Sequence, residues 1–135
     1  MPRAGGPFEV TLKPLPMEGQ AEADTHPLGR MSIDKVYRGD LEAVGRGQML
    51  TGGTPIRNSA AYVAVERVTG TLKGRKGSFT LQHAGLMNRG SPSLAITIVP
   101  DSGTEQLEGL KGTMTINIEA GKHSYQLDYT LADRA

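Results

Sequence analysis

The chain has 135 residues, with 15 basic and 14 acidic side chains, a formal net charge of +1, no cysteine and no tryptophan. Because cysteine is absent, disulfides, thiol catalysis and thiolate metal sites are excluded. Because the charges are balanced and interspersed, nucleic-acid binding is disfavoured. This length is typical of one domain, so we expect residues 1–135 to form a single unit.

Glycine and proline, at 18 and 8 residues, recur in turn-like clusters, and helical periodicity is nearly lacking, which favours an all-β fold. The N-terminus carries no apolar run typical of a signal peptide. No stretch approaches the roughly 20 apolar residues that cross a bilayer. We therefore expect a cytoplasmic protein with no membrane and no nucleic-acid partner.

Alternation of apolar and polar residues predicts the first strands. Residues Phe8–Leu12 alternate in a first strand that ends at the following prolines, and the polar segment 17–27 is predicted to be a loop. Residues 31–49 also alternate, but they are too many for one straight strand. We therefore expect a bend or bulge near Gly39 to divide this segment.

A hairpin is predicted in the middle of the chain, with Arg75 and Lys76 as its turn. In this register Val68 lies opposite His83, and the apolar residues of both arms share one face. Glu66 and His83 fall on that apolar face, one diagonal step apart, where their side chains can touch. The hairpin therefore predicts a carboxylate and an imidazole in contact inside the protein.

A second hairpin near the C-terminus shows the same segregation of faces. With Ala120 and Gly121 as the turn, Ile116 pairs with Tyr125 on the apolar face. Polar residues occupy the opposite face. The register is thus predicted for both hairpins from the pattern alone.

The strands are about eight in number and follow one another through short turns, which predicts a single antiparallel up-and-down β-barrel. A β-sandwich is the alternative. In either architecture the apolar faces form the core. The predicted core residues are Leu72, Phe79, Leu81, Ile96, Ile98, Met114, Ile116 and Leu127.

Six segments are spread over residues 39–129, which is most of the chain: Gly39–Glu42, Tyr62–Phe79, Gln82–His83, Val99–Thr104, Leu107–Gly112 and Tyr125–Tyr129. Together they resemble an uncharacterised bacterial family, a domain of unknown function. The resemblance implies a small barrel similar to allene oxide cyclase, often seen as oligomers. The plant enzyme shares the fold rather than these motifs, so the resemblance implies no catalytic residue.

Glu66 and His83 are the candidate catalytic pair, with Tyr62 as a partner. Burial raises the pKa of a carboxyl group and a neighbouring imidazolium lowers it, so the two groups can act as acid and base on an apolar ligand. The alternative is a structural role, in which the pair is hydrogen-bonded to Tyr62, Lys35 or the backbone. Both interpretations remain open at this point.

Candidate ligand-binding residues are Lys35, Tyr37, Tyr125 and Tyr129, which alternation places on inward faces. No two histidines or acidic residues have the spacing of metal ligands, so neither a metal nor a cofactor is predicted.

Three functions are compatible with the sequence. The first is a barrel that binds a small apolar or amphipathic ligand in its interior. The second is an isomerase or cyclase that uses Glu66 and His83, so the sequence leaves open whether the protein is an enzyme. The third is a structural or interaction module with a packed barrel. A homo-oligomer is expected because Val63 and Val65 point outward and leave the exterior apolar.

Overall fold

The computed structural model, which describes residues 2–19 and 26–132, is a closed antiparallel barrel of eight strands. Each strand pairs with the next along the chain, and β8 pairs with β1 to close the barrel. The predicted barrel is therefore confirmed, and the β-sandwich is not favoured. The strands are β1 Arg3–Leu15, β2 Gly29–Tyr37, β3 Leu41–Gly53, β4 Ala60–Leu72, β5 Arg75–Asn88, β6 Ser91–Ile98, β7 Lys111–Glu119 and β8 Lys122–Thr130.

One short 3₁₀ helix, Glu105–Leu107, lies between β6 and β7. Within the described part of the chain, no helix has the length and apolar character needed to cross a membrane. Of the predicted loop at 17–27, residues 20–25 lie outside the described residues, and the rest is not in a strand.

The C-terminal hairpin has the predicted register. Ile116 pairs with Tyr125, and the turn residues Ala120 and Gly121 have φ angles of 51° and 77°. Positive φ at both central residues is the signature of the two-residue turn that matches strand twist. The glycine in the turn allowed this register to be read from the sequence.

The register predicted for the middle hairpin is wrong. Val68 pairs with Phe79 and not with His83, and the turn is Lys73–Gly74, with φ angles of 47° and 83°. The reason is the same turn chemistry, because glycine adopts positive φ without steric cost, whereas a turn at Arg75 and Lys76 would require it of two side-chain-bearing residues. The displacement along β5 is four residues. Since this is an even number, every side chain keeps its predicted face.

The long alternating segment is divided by a turn and not by a bulge. β2 ends at Tyr37, β3 begins at Leu41, and Gly39 between them has a φ of 94°. Tyr37 and Ala43 are paired, so β2 and β3 form a third hairpin. Lys35 and Tyr37 consequently lie inside the barrel, as alternation predicts.

One end of the barrel is filled by side chains, and we call it the packed half. The 3₁₀ helix contributes Leu107 to it from outside the sheet, which excludes water from that end. The predicted core is buried here except for Ile116, which is partly buried nearer the other end. The packed half consists of Ala4, Leu41, Val68, Leu72, Phe79, Leu81, Ile96, Ile98, Leu107, Leu110, Met114, Tyr125, Leu127 and Tyr129.

The opposite end, which we call the open half, has exposed or half-exposed inward side chains. Along β7 the inward residues change from buried Met114 to partly buried Ile116 and exposed Ile118. The same gradient runs along β1, from Ala4 to Leu12. The open half consists of Leu12, Met49, Tyr62, Met87, Leu94 and Ile118.

The barrel has one weak seam in its open half. β6 and β7 are joined by only two residue pairs, Ile96 with Met114 and Thr97 with Thr113, whereas β1 and β8 share six. Towards the open end, residues 91–95 of β6 and residues 115–119 of β7 form no backbone pairs with each other. The barrel wall is therefore looser between β6 and β7 than elsewhere.

Candidate functional site

Four polar side chains meet at the junction between the packed and open halves. Lys35 and Tyr37 come from β2, Glu66 from β4 and His83 from β5. Each is inward because it follows the period of two that places apolar neighbours in the core. Lys35, Glu66 and His83 are all buried, and Glu66 is 0% exposed.

The carboxylate of Glu66 accepts hydrogen bonds from the other three side chains. Its Oε1 lies 3.1 Å from Lys35 Nζ and 2.9 Å from His83 Nε2, and its Oε2 lies 2.5 Å from the hydroxyl of Tyr37. Such charge-assisted bonds are short and strong. The predicted contact between Glu66 and His83 is present, since His83 lies two residues beyond Leu81, the β5 partner of Glu66.

A glycine on β3 makes room for this cluster. Gly45 pairs with Lys35, and a Cβ atom added there would overlap the Glu66 carboxylate and lie 3.1 Å from the Tyr37 ring. Any side chain at this position would therefore displace the carboxylate. The space left by the missing side chain is occupied by Glu66.

The cluster stabilises Glu66 in its ionised form. Burial alone would raise the pKa of Glu66, but the hydrogen bond from His83, the charge of Lys35 and the hydrogen bond from Tyr37 outweigh burial and lower it. Burial and the adjacent Glu66 charge raise the pKa of Tyr37 far above its ordinary value. At neutral pH, Glu66 is thus an anion, and Nε2 of His83 carries the hydrogen of their bond.

A cavity of about 200 Å³ adjoins the cluster on the side of the open half. Lys35 and His83 form part of its wall, whereas Glu66 and Tyr37 do not line it. The wall is otherwise mostly apolar, which is typical of sites for small organic ligands. The lining residues are Phe8, Val10, Leu12, Ile33, Lys35, Met49, Tyr62, His83, Leu94, Ile116, Ile118 and His123.

A second depression, of about 520 Å³, lies at the mouth of the barrel. It shares Met49, Tyr62 and Leu94 with the inner cavity, so the two are adjacent. Tyr62 lies between them, with its ring centroid 6.5 Å from that of His83. Burial and the charge of Glu66 raise the pKa of Tyr62, so its hydroxyl remains a neutral donor.

Some of the candidate residues named from the sequence line the cavity, and the others are buried away from it. Lys35, Tyr62 and His83 line the cavity, and Glu66 supports two of them from behind. Tyr37 is a buried member of the cluster.

Tyr125 and Tyr129 do not line the cavity. Tyr125 is buried, and its hydroxyl donates to the carbonyl of Arg38 at 2.7 Å and accepts from the amide of Leu41 at 2.8 Å, which secures the β2–β3 turn. Tyr129 is buried at the same end, where the ammonium of Lys73 lies 6.0 Å from its ring.

His123 is a further residue of the cavity wall. Its ring contacts Phe8 edge-on, with centroids 5.3 Å apart, and both line the inner cavity. Its pairing with Ile118 already placed it on an inward face. Among the described residues, no group of three or more acidic, histidine or cysteine side chains is placed to hold a metal ion.

Comparison with protein families gives a match over residues 4–129 to DUF3224, described as a protein of unknown function. The chain belongs to this family. A solved family member is the crystal structure of a protein with unknown function from Shewanella oneidensis MR-1. It is 42% identical to this chain, with a TM-score of 0.91 and coverage of 98% of this chain and 99% of that chain.

No curated protein matches the chain. The predicted membership of a bacterial family of unknown function is thus confirmed, whereas the predicted likeness to allene oxide cyclase stays a prediction.

Proposed function

We propose that the barrel binds a small apolar or amphipathic ligand in its open half. The observation that carries this proposal is the cavity of about 200 Å³, with an apolar wall and polar groups at its inner end. Typical ligand sites have volumes of about 300 to 1,000 Å³. A ligand of ordinary size would therefore place one end in the cavity and the rest in the depression of about 520 Å³ at the mouth.

The contrast between the two halves supports this proposal. An eight-stranded barrel is just wide enough for side chains to fill it or for one small ligand to replace some of them. In the packed half, the inward residues fill it. In the open half, large apolar side chains such as Leu94 remain exposed, which is costly for a barrel that holds nothing there.

Binding can be tested with N-phenylnaphthylamine, a neutral apolar dye whose fluorescence rises in apolar surroundings. We expect saturable binding with one site per chain. Leu94→Trp should weaken binding because the indole occupies the space between cavity and mouth. Val36→Trp is the matched control, since Val36 lies on the barrel exterior, is 37% exposed and is not part of the outer face around β4. Equal binding by both variants, or no saturable binding to the unmodified protein, would contradict the proposal.

A second candidate is an isomerase or cyclase, which the contact between Glu66 and His83 favours. Since Glu66 does not line the cavity, the group that reaches a ligand would be His83, with Tyr62 as a further donor. Glu66 would orient the imidazole and stabilise its charged form. In this function Glu66 is a positioning residue and His83 is the acid or base.

The enzyme candidate can be tested by comparing Glu66→Gln with His83→Gln. For each variant, the retention of the bound ligand, the turnover of that ligand and the melting temperature would be measured. If His83 transfers a proton, both variants should retain the ligand and lose turnover, with the larger loss in His83→Gln. A change in melting temperature alone would leave the pair with a structural role.

We also propose that a second copy of the chain covers the barrel exterior around β4. Val63 and Val65 are 53% and 58% exposed, and Leu50 and Ala84 pair with Val63 on the same outer face. An apolar exterior of this kind is commonly covered in an oligomer. Sedimentation at micromolar concentration should show a species larger than the monomer, and Val63→Glu should dissociate it.

A further inference from the structure

We propose that the ligand of this cavity carries a carboxylate, which binds between Lys35 and His83 while its apolar body extends towards the barrel mouth. This inference rests on the proposed ligand-binding function and specifies the class of ligand. The observation behind it is the hydrogen bonding of Lys35. The ammonium group has three N–H donors, and within the described residues one hydrogen bond, to Glu66 Oε1, is present.

The environment of the Lys35 ammonium leaves the cavity as the place for a further acceptor. Lys35 is 6% exposed and lines the cavity wall. Its other close neighbours are aromatic rings, with Nζ 5.3 Å from the ring centroid of Phe8 and 5.7 Å from that of Tyr37. Rings attract a cation through their faces but do not replace oxygen acceptors for its N–H groups. Buried donors are normally satisfied, so an oxygen atom is expected in the cavity next to Nζ.

His83 lies beside Lys35 and faces the same space. Both Lys35 Nζ and His83 Nε2 are within hydrogen-bond distance of a single atom, Oε1 of Glu66. Because Nε2 of His83 and one N–H of Lys35 are used by Glu66, a bound carboxylate would accept from a further N–H of Lys35 and contact His83 at its other ring nitrogen, Nδ1. His123 lines the same cavity and supplies a further imidazole.

The charges of the wall also select an anion. The lining contains a lysine, two histidines and a tyrosine, but no acidic residue among the described ones. Glu66 is enclosed, and both of its oxygens accept hydrogen bonds from the protein. A carboxylate in the cavity would therefore meet the Lys35 ammonium and other N–H and O–H donors, and no acidic side chain of the described wall.

A cationic ligand is disfavoured for the same reasons. An amine at this position would meet the like charge of the Lys35 ammonium, and the Glu66 oxygens already accept hydrogen bonds from the protein. A neutral alcohol can accept a hydrogen bond from Lys35 but lacks the charge. The expected order of affinity is therefore carboxylate, then alcohol, then amine.

Three probes that share one naphthyl body test this order. Naphthylacetate, naphthylethanol and naphthylethylamine would be titrated as competitors of N-phenylnaphthylamine. For the unmodified protein, we expect naphthylacetate to bind at least about tenfold more tightly than naphthylethylamine, which is the scale of one charge-assisted hydrogen bond. His83→Gln should reduce this preference.

The double variant Lys35→Met with Glu66→Gln provides the decisive comparison. It removes the ammonium and its buried counter-ion together, which avoids leaving one charge unpaired and is often tolerated. We expect this variant to bind naphthylacetate no more tightly than naphthylethylamine, while naphthylethanol loses only the single neutral hydrogen bond from Lys35 and still competes with the dye. A measured melting temperature would verify that it is folded.

The outcomes separate the two proposals. If naphthylethanol binds while naphthylacetate binds no more tightly than the amine, the carboxylate inference is overturned and the ligand-binding function stands. The inference is also overturned if the folded double variant keeps the full preference. If none of the probes competes and the dye itself does not bind, both proposals fail.

Discussion

The two halves of this barrel are built from the same strands, yet their interiors differ. In the packed half, the inward positions of β4 and β5 are Val68, Leu72, Phe79 and Leu81, which are almost fully buried. In the open half, the inward positions of the same strands include Tyr62, which is partly exposed and lines a cavity. One closed sheet can thus provide a stable core at one end and a site at the other.

The polar cluster lies between these halves and contacts both. On the side of the packed half, the ring of Tyr37 contacts that of Tyr125, with 5.4 Å between their centroids. On the side of the open half, Lys35 and His83 line the cavity. Mutations on either side of the cluster can therefore distinguish residues that stabilise the fold from residues that line the cavity.

The largest effect is expected in the packed half. Phe79→Ala should lower the free energy of unfolding by roughly 3 to 5 kcal/mol, because a 1%-exposed ring is removed from a filled interior. Urea unfolding provides the measurement. A loss below about 1 kcal/mol would show that this half is not tightly packed.

Glu66→Gln should lower the free energy of unfolding by about 3 kcal/mol, since it leaves the buried Lys35 ammonium without a charged partner. The double variant with Lys35→Met should recover much of this loss, because no charge is then left unpaired. If the double variant is as unstable as Glu66→Gln, the ion pair is not the cause.

The same carboxylate predicts a pH dependence. Since the pKa of Glu66 is lowered in the folded protein from its ordinary value of 4.5, the folded state binds the proton less readily than the unfolded chain. Its contribution to stability is therefore present above the ordinary pKa and is lost as the pH falls through the folded-state pKa. Urea unfolding of the unmodified protein should show a steeper loss below about pH 4.5 than Glu66→Gln does. If the free energies of unfolding of the unmodified protein and Glu66→Gln fall in parallel as the pH decreases, Glu66 does not cause the pH dependence.

Gly45→Ala should destabilise the protein by about 1 to 3 kcal/mol, because the new methyl group overlaps the Glu66 carboxylate. Gly53→Ala on the same strand is the control, since nothing lies within 4 Å of a Cβ there. The control should change stability by less than about 0.5 kcal/mol. Thermal unfolding of the two variants measures the difference, and equal effects would show that the close approach is relieved without cost.

The smallest effect is expected in the open half. Leu94→Ala should lower the free energy of unfolding by less than about 1 kcal/mol, because Leu94 is already 46% exposed. Urea unfolding would be compared directly with Phe79→Ala. A loss as large as that of Phe79→Ala would mean that both halves are packed alike.

The sequence predicted which way side chains point more reliably than which residues pair. Glu66, His83 and the core residues occupy their predicted faces, although β5 is displaced by four residues against β4. The displacement is even, so alternation cannot detect it. The register of the C-terminal hairpin was predicted because its glycine lies in the turn that was chosen, whereas the turn at Lys73–Gly74 was missed.

The candidate site divides in the same way. The contact of Glu66 with His83 was predicted although the register was wrong. Alternation placed both side chains inward, and the displacement of four residues moves His83 from the diagonal position beside Val68 to the one beside Ala64, which is equally close to Glu66. Tyr125 and Tyr129 were inward as predicted, but no local pattern indicated that they belong to the packed half. Whether an inward residue lies beside the cavity or in the packed half depends on its position along the barrel axis, and that position is set by the pairing of its strand with the neighbouring strands.

By itself, the sequence determined the all-β class, the inward and outward faces, and the inward position of both a carboxylate and an imidazole. These are local properties, because a strand repeats every two residues and a tight turn depends on its own backbone angles. The tertiary structure alone decided that Lys35 and Tyr37 from β2 join Glu66 and His83, and that a cavity lies on one side of them. Those features require strands distant in sequence to pair in one register and the barrel to close, and the closure depends on all eight strands at once.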